Sequence, residues 1–61
     1  MRDLRVERTK KRLSQQAVAD AIGINRVAYN RIENNLAKPK LETAEKLAEL
    51  FELTMDELLR G

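Results

Sequence analysis

Gly23-Ile24-Asn25 is the segment that most restricts what this chain can become. Before it, Ala17, Val18, Ala21 and Ile22 recur at helical spacing behind Ser14, whose hydroxyl can accept a bond from a first-turn amide. After it, Arg26 opens a second helical stretch with Tyr29 and Ile32 available to the inside, together with Val27 or Ala28. Gly23 can enter the left-handed region without a Cβ penalty and close the first helix, and Asn25 can cap the second only two residues later. Helices joined this closely meet at a steep corner, and the second one protrudes.

Other start and stop signals divide the rest of the chain. Leu4, Arg8 and Lys11 share one face of a first helix that should end near Arg12, with Lys10, Lys11 and Arg12 at its negative dipole end. Asn34-Asn35 stops the third helix, and Pro39 biases Lys38 away from helix. Leu41, Ala44, Leu47, Ala48 and Phe51 then repeat at three and four residues, while Glu42, Glu45, Lys46 and Glu49 face away. Thr54-Met55-Asp56-Glu57 has the order of a capping box, with Leu58 and Leu59 expected inside and Gly61 at the stop. The expectation is an all-α, compact five-helix fold forming a single domain over residues 1–61. Two Gly, one Pro and 3% aromatics agree with packed helices rather than a sandwich.

Several functions are excluded at this point. The 61 residues contain no Cys and no His, which removes disulfides, zinc-finger ligand sets, thiol chemistry and His-based catalysis. Carboxylates are plentiful, but they line the exposed face of the fourth helix, without a Gly-rich phosphate loop or room for a sizeable pocket, so no enzyme is expected. Nothing calls for a cofactor, a metal or a small-molecule ligand. No apolar run exceeds three residues, Val27-Ala28-Tyr29 being one, against the roughly 20 a membrane span needs. No apolar stretch follows the N-terminal charges as a secretory signal would require, and the expected location is the cytoplasm, with the nucleoid. A core this small supplies only about 3 to 5 kcal/mol alone, which makes dimerisation plausible.

The net charge of +2 conceals an asymmetry: residues 1–12 carry +4, residues 13–40 carry +2 and residues 41–61 carry −4. Such a chain can present a face to a polyanion, nucleic acid above all. A merely solvated basic first helix would look the same, and charge alone does not decide. The second helix of the corner adds Arg26, Asn30 and Arg31 on its polar side, and an α-helix fits the major groove of B-DNA.

Residues Leu13 to Ile24, LSQQAVADAIGI, followed by Asn25 to Asn34, NRVAYNRIEN, resemble the Cro/repressor (XRE-like) helix-turn-helix family, with the helix-turn-helix at about residues 15–34. Pro39-Lys40-Leu41-Glu42-Thr43, Lys46 to Phe51 and Met55 to Leu59 resemble its fourth and fifth helices, so the resemblance covers nearly the whole chain. It implies sequence-specific binding of double-stranded DNA by a transcriptional regulator, a repressor acting as a homodimer on a palindromic operator. Arg26, Val27 and Arg31 match base-contacting positions, with Asn30 beside them. Arg26 carries the most information, because arginine pairs in bidentate fashion with guanine. Ser14, Gln15, Asn25, Asn34, Lys38 and Lys40 fall at phosphate-contacting positions, where they position the protein without reading sequence.

The resemblance further pairs Arg8 with Glu33 in a structural salt bridge, although two unrelated surface charges would leave the same sequence. It places a dimer surface around Leu41, Thr54, Met55 and Glu57. Three features depart from the family pattern: Tyr29 stands where an aliphatic residue is usual, Asn35 where Gly is usual, and Leu36-Ala37 where the loop is more polar. A second reading keeps the fold and drops the DNA: a protein-binding module such as an antitoxin or adaptor, which would have no need of Arg26, Arg31, Lys38 and Lys40 on one face.

Overall fold

The computed structural model describes residues 1–61. Five helices follow one another: α1 (Leu4–Lys10), α2 (Gln15–Ile22), α3 (Arg26–Glu33), α4 (Leu41–Leu50) and α5 (Met55–Arg60), with no strand. All but α4 start on a side-chain cap. Asp3 accepts from the amides of Arg5 and Val6, Ser14 from Ala17, Asn25 from Ala28 and Thr54 from Glu57. Glu57 returns the bond by accepting from the Thr54 amide at 2.9 Å, completing the capping box. Ser14, Asn25 and Thr54 are the caps expected from the sequence, and Asp3 is an additional one.

Helices α1 to α4 stop by one device. A residue enters the left-handed region, Arg12 (φ 56°), Gly23 (φ 77°), Asn35 (φ 59°) or Glu52 (φ 56°), and the next amide reaches back five residues. Leu13 N donates to Arg8 O (3.2 Å), Ile24 N to Ala19 O (3.0 Å), Leu36 N to Arg31 O (2.8 Å) and Leu53 N to Ala48 O (2.8 Å). These Schellman closures satisfy carbonyls that a helix end would otherwise leave unpaired, and each places an apolar residue just beyond the turn. Leu13, Ile24 and Leu53 pack against the core, whereas Leu36 stays exposed. The first helix was expected to run to about Arg12, but its last helical residue is Lys10, and Arg12 is the left-handed closure. Arg12 and Glu52 hold that conformation at a cost of roughly 1 to 2 kcal/mol each, because a Cβ crowds the following carbonyl.

The core joins Leu4 of α1, Val18, Ala19 and Ile22 of α2, Tyr29 and Ile32 of α3, and Ala44, Leu47 and Ala48 of α4 to Phe51 and to Leu58 of α5. Val27 points outward at 62% exposure and Ala28 is half-buried, which resolves the alternative left open by spacing. Leu59, expected inside, is exposed because six residues of α5 can bury only one leucine face. Arg2 N donates to Leu58 O at 2.7 Å, and a Cβ on Gly61 would lie 2.5 Å from the Arg2 Cα, so Gly61 lets the end of α5 meet the chain ahead of α1. No helix is long and apolar enough to cross a membrane.

Tyr29 fills the centre with its ring fully buried and its hydroxyl without a hydrogen-bond partner. Burial, reinforced by the charge of Glu33 and opposed by Arg8, pushes its pKa up to about 12. A raised folded pKa contributes stability that is whole below pH 10 and is lost as pH rises toward 12. Tyr29→Phe removes a desolvated hydroxyl that bonds to nothing, so its melting temperature is expected to equal or exceed that of the parent at neutral pH. Ultraviolet titration and thermal melts check both points: the parent tyrosine should ionise near pH 12, and the parent, not the variant, should lose this component of stability above pH 10.

Candidate nucleic-acid interface

The corner set by Gly23 and the Asn25 cap turns α3 outward from α2. On its open side Arg26, Val27 and Arg31 are exposed. Arg26 is left without a partner in the chain, and Arg31 reaches only the Leu36 carbonyl, at 3.4 Å. Lys38 and Lys40, both exposed, follow in the loop, and with Arg31 they line a shallow depression against Ile24, Ala28 and Ile32. Ser14 and Asn25, the exposed caps of α2 and α3, each commit a side-chain oxygen to a first-turn amide.

Beneath this surface a polar network fixes α3. The Glu33 carboxylate, in the last turn of α3, has 0% side-chain exposure. Its Oε1 accepts from Arg8 Nε at 3.2 Å and lies 3.1 Å from Arg8 Nη2, and the Arg8 side chain is itself only 15% exposed. Arg8 Nη1 donates to Leu13 O at 2.8 Å, so one guanidinium binds the end of α1 to the end of α3. Glu33 Oε2 accepts from Gln15 Nε2 at 2.7 Å, which ties in the first residue of α2. A carboxylate stripped of water needs donors on both oxygens, and α1 and α2 supply them.

The network continues outward along α3. Asn30 Nδ2 donates to Gln15 Oε1 (3.2 Å), Asn34 Nδ2 donates to Asn30 Oδ1 (3.2 Å) and to Asn30 O (3.0 Å), and Arg5 Nη2 donates to Asn34 Oδ1 (3.0 Å). Arg5 Nε lies 3.7 Å from Glu33 Oε1, returning the chain of contacts to its start. The structure thus brings together Arg8, Gln15, Asn30, Glu33 and Asn34, and adds Arg5, which sequence reading passed over. Its signal was present: Arg5 stands one helical turn before Arg8, and Asn30 and Asn34 are four apart. Asn30, expected beside the base contacts, is half-buried with donor and acceptor both engaged.

The residues grouped as a dimer surface are less uniform. Leu41 is strongly exposed, Met55 is partly buried against the core, and Thr54 and Glu57 bond to each other. That capping bond holds the Glu57 carboxyl below its ordinary pKa, first through the Thr54 backbone amide. Other ion pairs went unread in the sequence, among them Arg2–Glu7 (3.1 Å) and Lys11–Glu52 (2.7 Å). Arg2 in particular holds the buried Glu7 carboxyl below its ordinary value.

Removing one partner of a buried pair strands the other, at a cost of about 3 to 5 kcal/mol. Glu33→Ala should therefore be largely unfolded near room temperature by far-ultraviolet circular dichroism. The double variant Arg8→Met with Glu33→Leu should melt above Glu33→Ala, since no buried charge is left alone. Equal melting of Glu33→Ala and parent would show that the pair is dispensable.

A helix-turn-helix family model matches residues 4–58. The cryptic phage CTXphi transcriptional repressor RstR of Vibrio cholerae is 44% identical over 59 residues, covering 97% of this chain and 50% of that protein. The SPbeta prophage-derived HTH-type transcriptional regulator YonR of Bacillus subtilis is 43% identical over 54 residues, covering 88% of this chain and 50% of that one. The chain thus spans about half the length of these relatives. Among solved structures, the P22 c2 repressor in complex with a synthetic operator superposes with a TM-score of 0.90 at 28% identity, covering 95% of this chain and 88% of that one. With its corner, its outward α3 and a match over nearly its whole length, the chain belongs to the Cro/repressor (XRE-type) helix-turn-helix family.

Proposed function

We propose that this chain is the DNA-reading domain of a transcriptional repressor, which binds a palindromic operator as a homodimer and places α3 in the major groove. The observation that carries the reading is a division of labour on α3. Its last turn is held to α1 and α2 through Glu33, while Arg26, Val27 and Arg31 are left exposed. Arg26 and Arg31 then read base edges by hydrogen bonding, and Val27 offers apolar contact to a thymine methyl. Ser14, Gln15, Asn25, Asn34, Lys38 and Lys40 set the register on the phosphates. Support for repression comes from RstR, named as a repressor, and from the P22 c2 repressor, whose structure holds an operator. A single small module covers only about 600 to 1,000 Å² of DNA, so pairing of two copies on half-sites about one helical turn apart supplies the affinity. No step of catalysis is involved, and the site of action is the cytoplasm, where the DNA is.

Selection from a random duplex pool at two salt concentrations tests this reading. Enrichment of an inverted repeat with guanine in each half-site supports it, and no retention of any duplex even at low salt would overturn it in favour of a protein-binding module. Arg26→Ala should leave the melting temperature unchanged and relax preference at one base pair by about 1 to 3 kcal/mol. Lys38→Ala should weaken all duplexes alike and flatten the salt dependence by about one phosphate contact.

A further inference from the structure

The hydrogen-bonded chain from Glu33 to Arg5 has a direction. An ionised carboxylate only accepts and a guanidinium only donates, whereas each carboxamide does both. Glu33 at one end therefore requires Gln15 to present its nitrogen, which turns the Gln15 oxygen toward Asn30 and requires the Asn30 nitrogen there. The Asn30 oxygen in turn takes the Asn34 nitrogen, leaving the Asn34 oxygen for a donor, and Arg5 supplies it. Both charged ends demand the same orientation of all three amides. Gln15 and Asn30 each keep one N–H uncommitted, the group an acceptor-only phosphate oxygen takes.

We propose that Arg5 is a positioning residue for the DNA-contacting surface, acting through Asn34. The inference rests on the DNA-reading function above. Glu33 anchors the inner end of the relay in a water-free site, whereas Asn34 and Arg5 lie exposed at the outer end, where water competes for every bond. Without Arg5 the Asn34 carboxamide is held from one side only, and disorder at the last turn of α3 works inward to Asn30. The planar fork of Arg5 spans the gap by placing Nη2 on Asn34 and Nε toward Glu33 together. A lysine keeps the charge and lacks the fork, which makes Arg5→Lys the informative substitution.

The test measures binding to a mixed-sequence duplex at low salt, beside the side-chain amide NMR signals of Gln15, Asn30 and Asn34 without DNA. Arg5→Lys is expected to weaken binding about threefold to tenfold with the salt slope retained, as for loss of one hydrogen bond. Its Asn34 signals should move furthest, Asn30 less and Gln15 least. Asn34→Ala should cost at least as much affinity, since it removes a phosphate contact together with its positioning, and adding Arg5→Lys to it should change nothing further, because residues acting in one series are not additive. Multiplying losses, or weakened binding with all three amide signals in place, would show that Arg5 touches DNA itself and would overturn the proposal. Parental affinity and parental signals in Arg5→Lys would overturn it as well. If the parent binds no duplex while the amide signals still move on Arg5→Lys, the relay is real but the DNA-reading function fails, and the proposal falls with it.

Discussion

A carboxylate without access to water has to be satisfied from within the chain, and Glu33 is where three helices meet that demand. Arg8 comes from α1, Gln15 from the first turn of α2, and Glu33 itself closes α3. Apolar packing between short helices tolerates sliding and rotation, since one methyl contact substitutes for another. Paired donors on defined oxygens do not, so the network adds a directional constraint to the angle that the Gly23 corner gives α3. Tyr29 lies within the same electrostatic field, its pKa raised by burial and by Glu33, and eased by Arg8. The polar network and the centre of the core are thus one assembly.

Helix starts were legible because caps are written in single residues: Ser14, Asn25 and Thr54 each precede a helix and each bond as their chemistry suggests. Helix stops were legible where Gly or Asn stands, at Gly23 and Asn35, which take a positive φ, and at Gly61, the C-cap of α5. Arg12 and Glu52 take the same conformation with side chains that give no local signal, and the apolar residue that follows each of them provides the compensation. Leu13 and Leu53 are drawn into the core and carry the strained turn with them. Read in pairs, left-handed residue then apolar residue, all four stops share one pattern, which a search for Gly or Asn alone passes over.

The site was legible in its charges and, through the resemblance, in the Arg8–Glu33 pair, but not in the rest of its wiring. Arg26, Arg31, Lys38 and Lys40 stand exposed, as their spacing suggested. Asn30 looked like a groove-facing residue because helical phase puts it near Arg26, and what the phase could not show is that its side chain also reaches Gln15 of α2. Long-range partners such as Arg5 with Asn34 or Lys11 with Glu52 depend on how helices cross, and no periodicity within one helix contains that information.

Fold and recognition share residues unequally along α3. Glu33 cannot change without stranding Arg8, and Gln15 and Asn30 are linked to it by hydrogen bonds, so these positions are tied to stability in a domain whose thin core has little to spare. Arg26 and Val27 support nothing inside the chain, and Arg31 holds only one long contact to a loop carbonyl. The residues proposed to read bases can therefore vary with little cost to folding, while those bonded into the network cannot. On the proposed function, substitution at two or three such exposed positions changes the target sequence with the geometry of approach unchanged. Arg5 and Asn34 lie between the two sets: exposed enough to vary, yet bonded into the support.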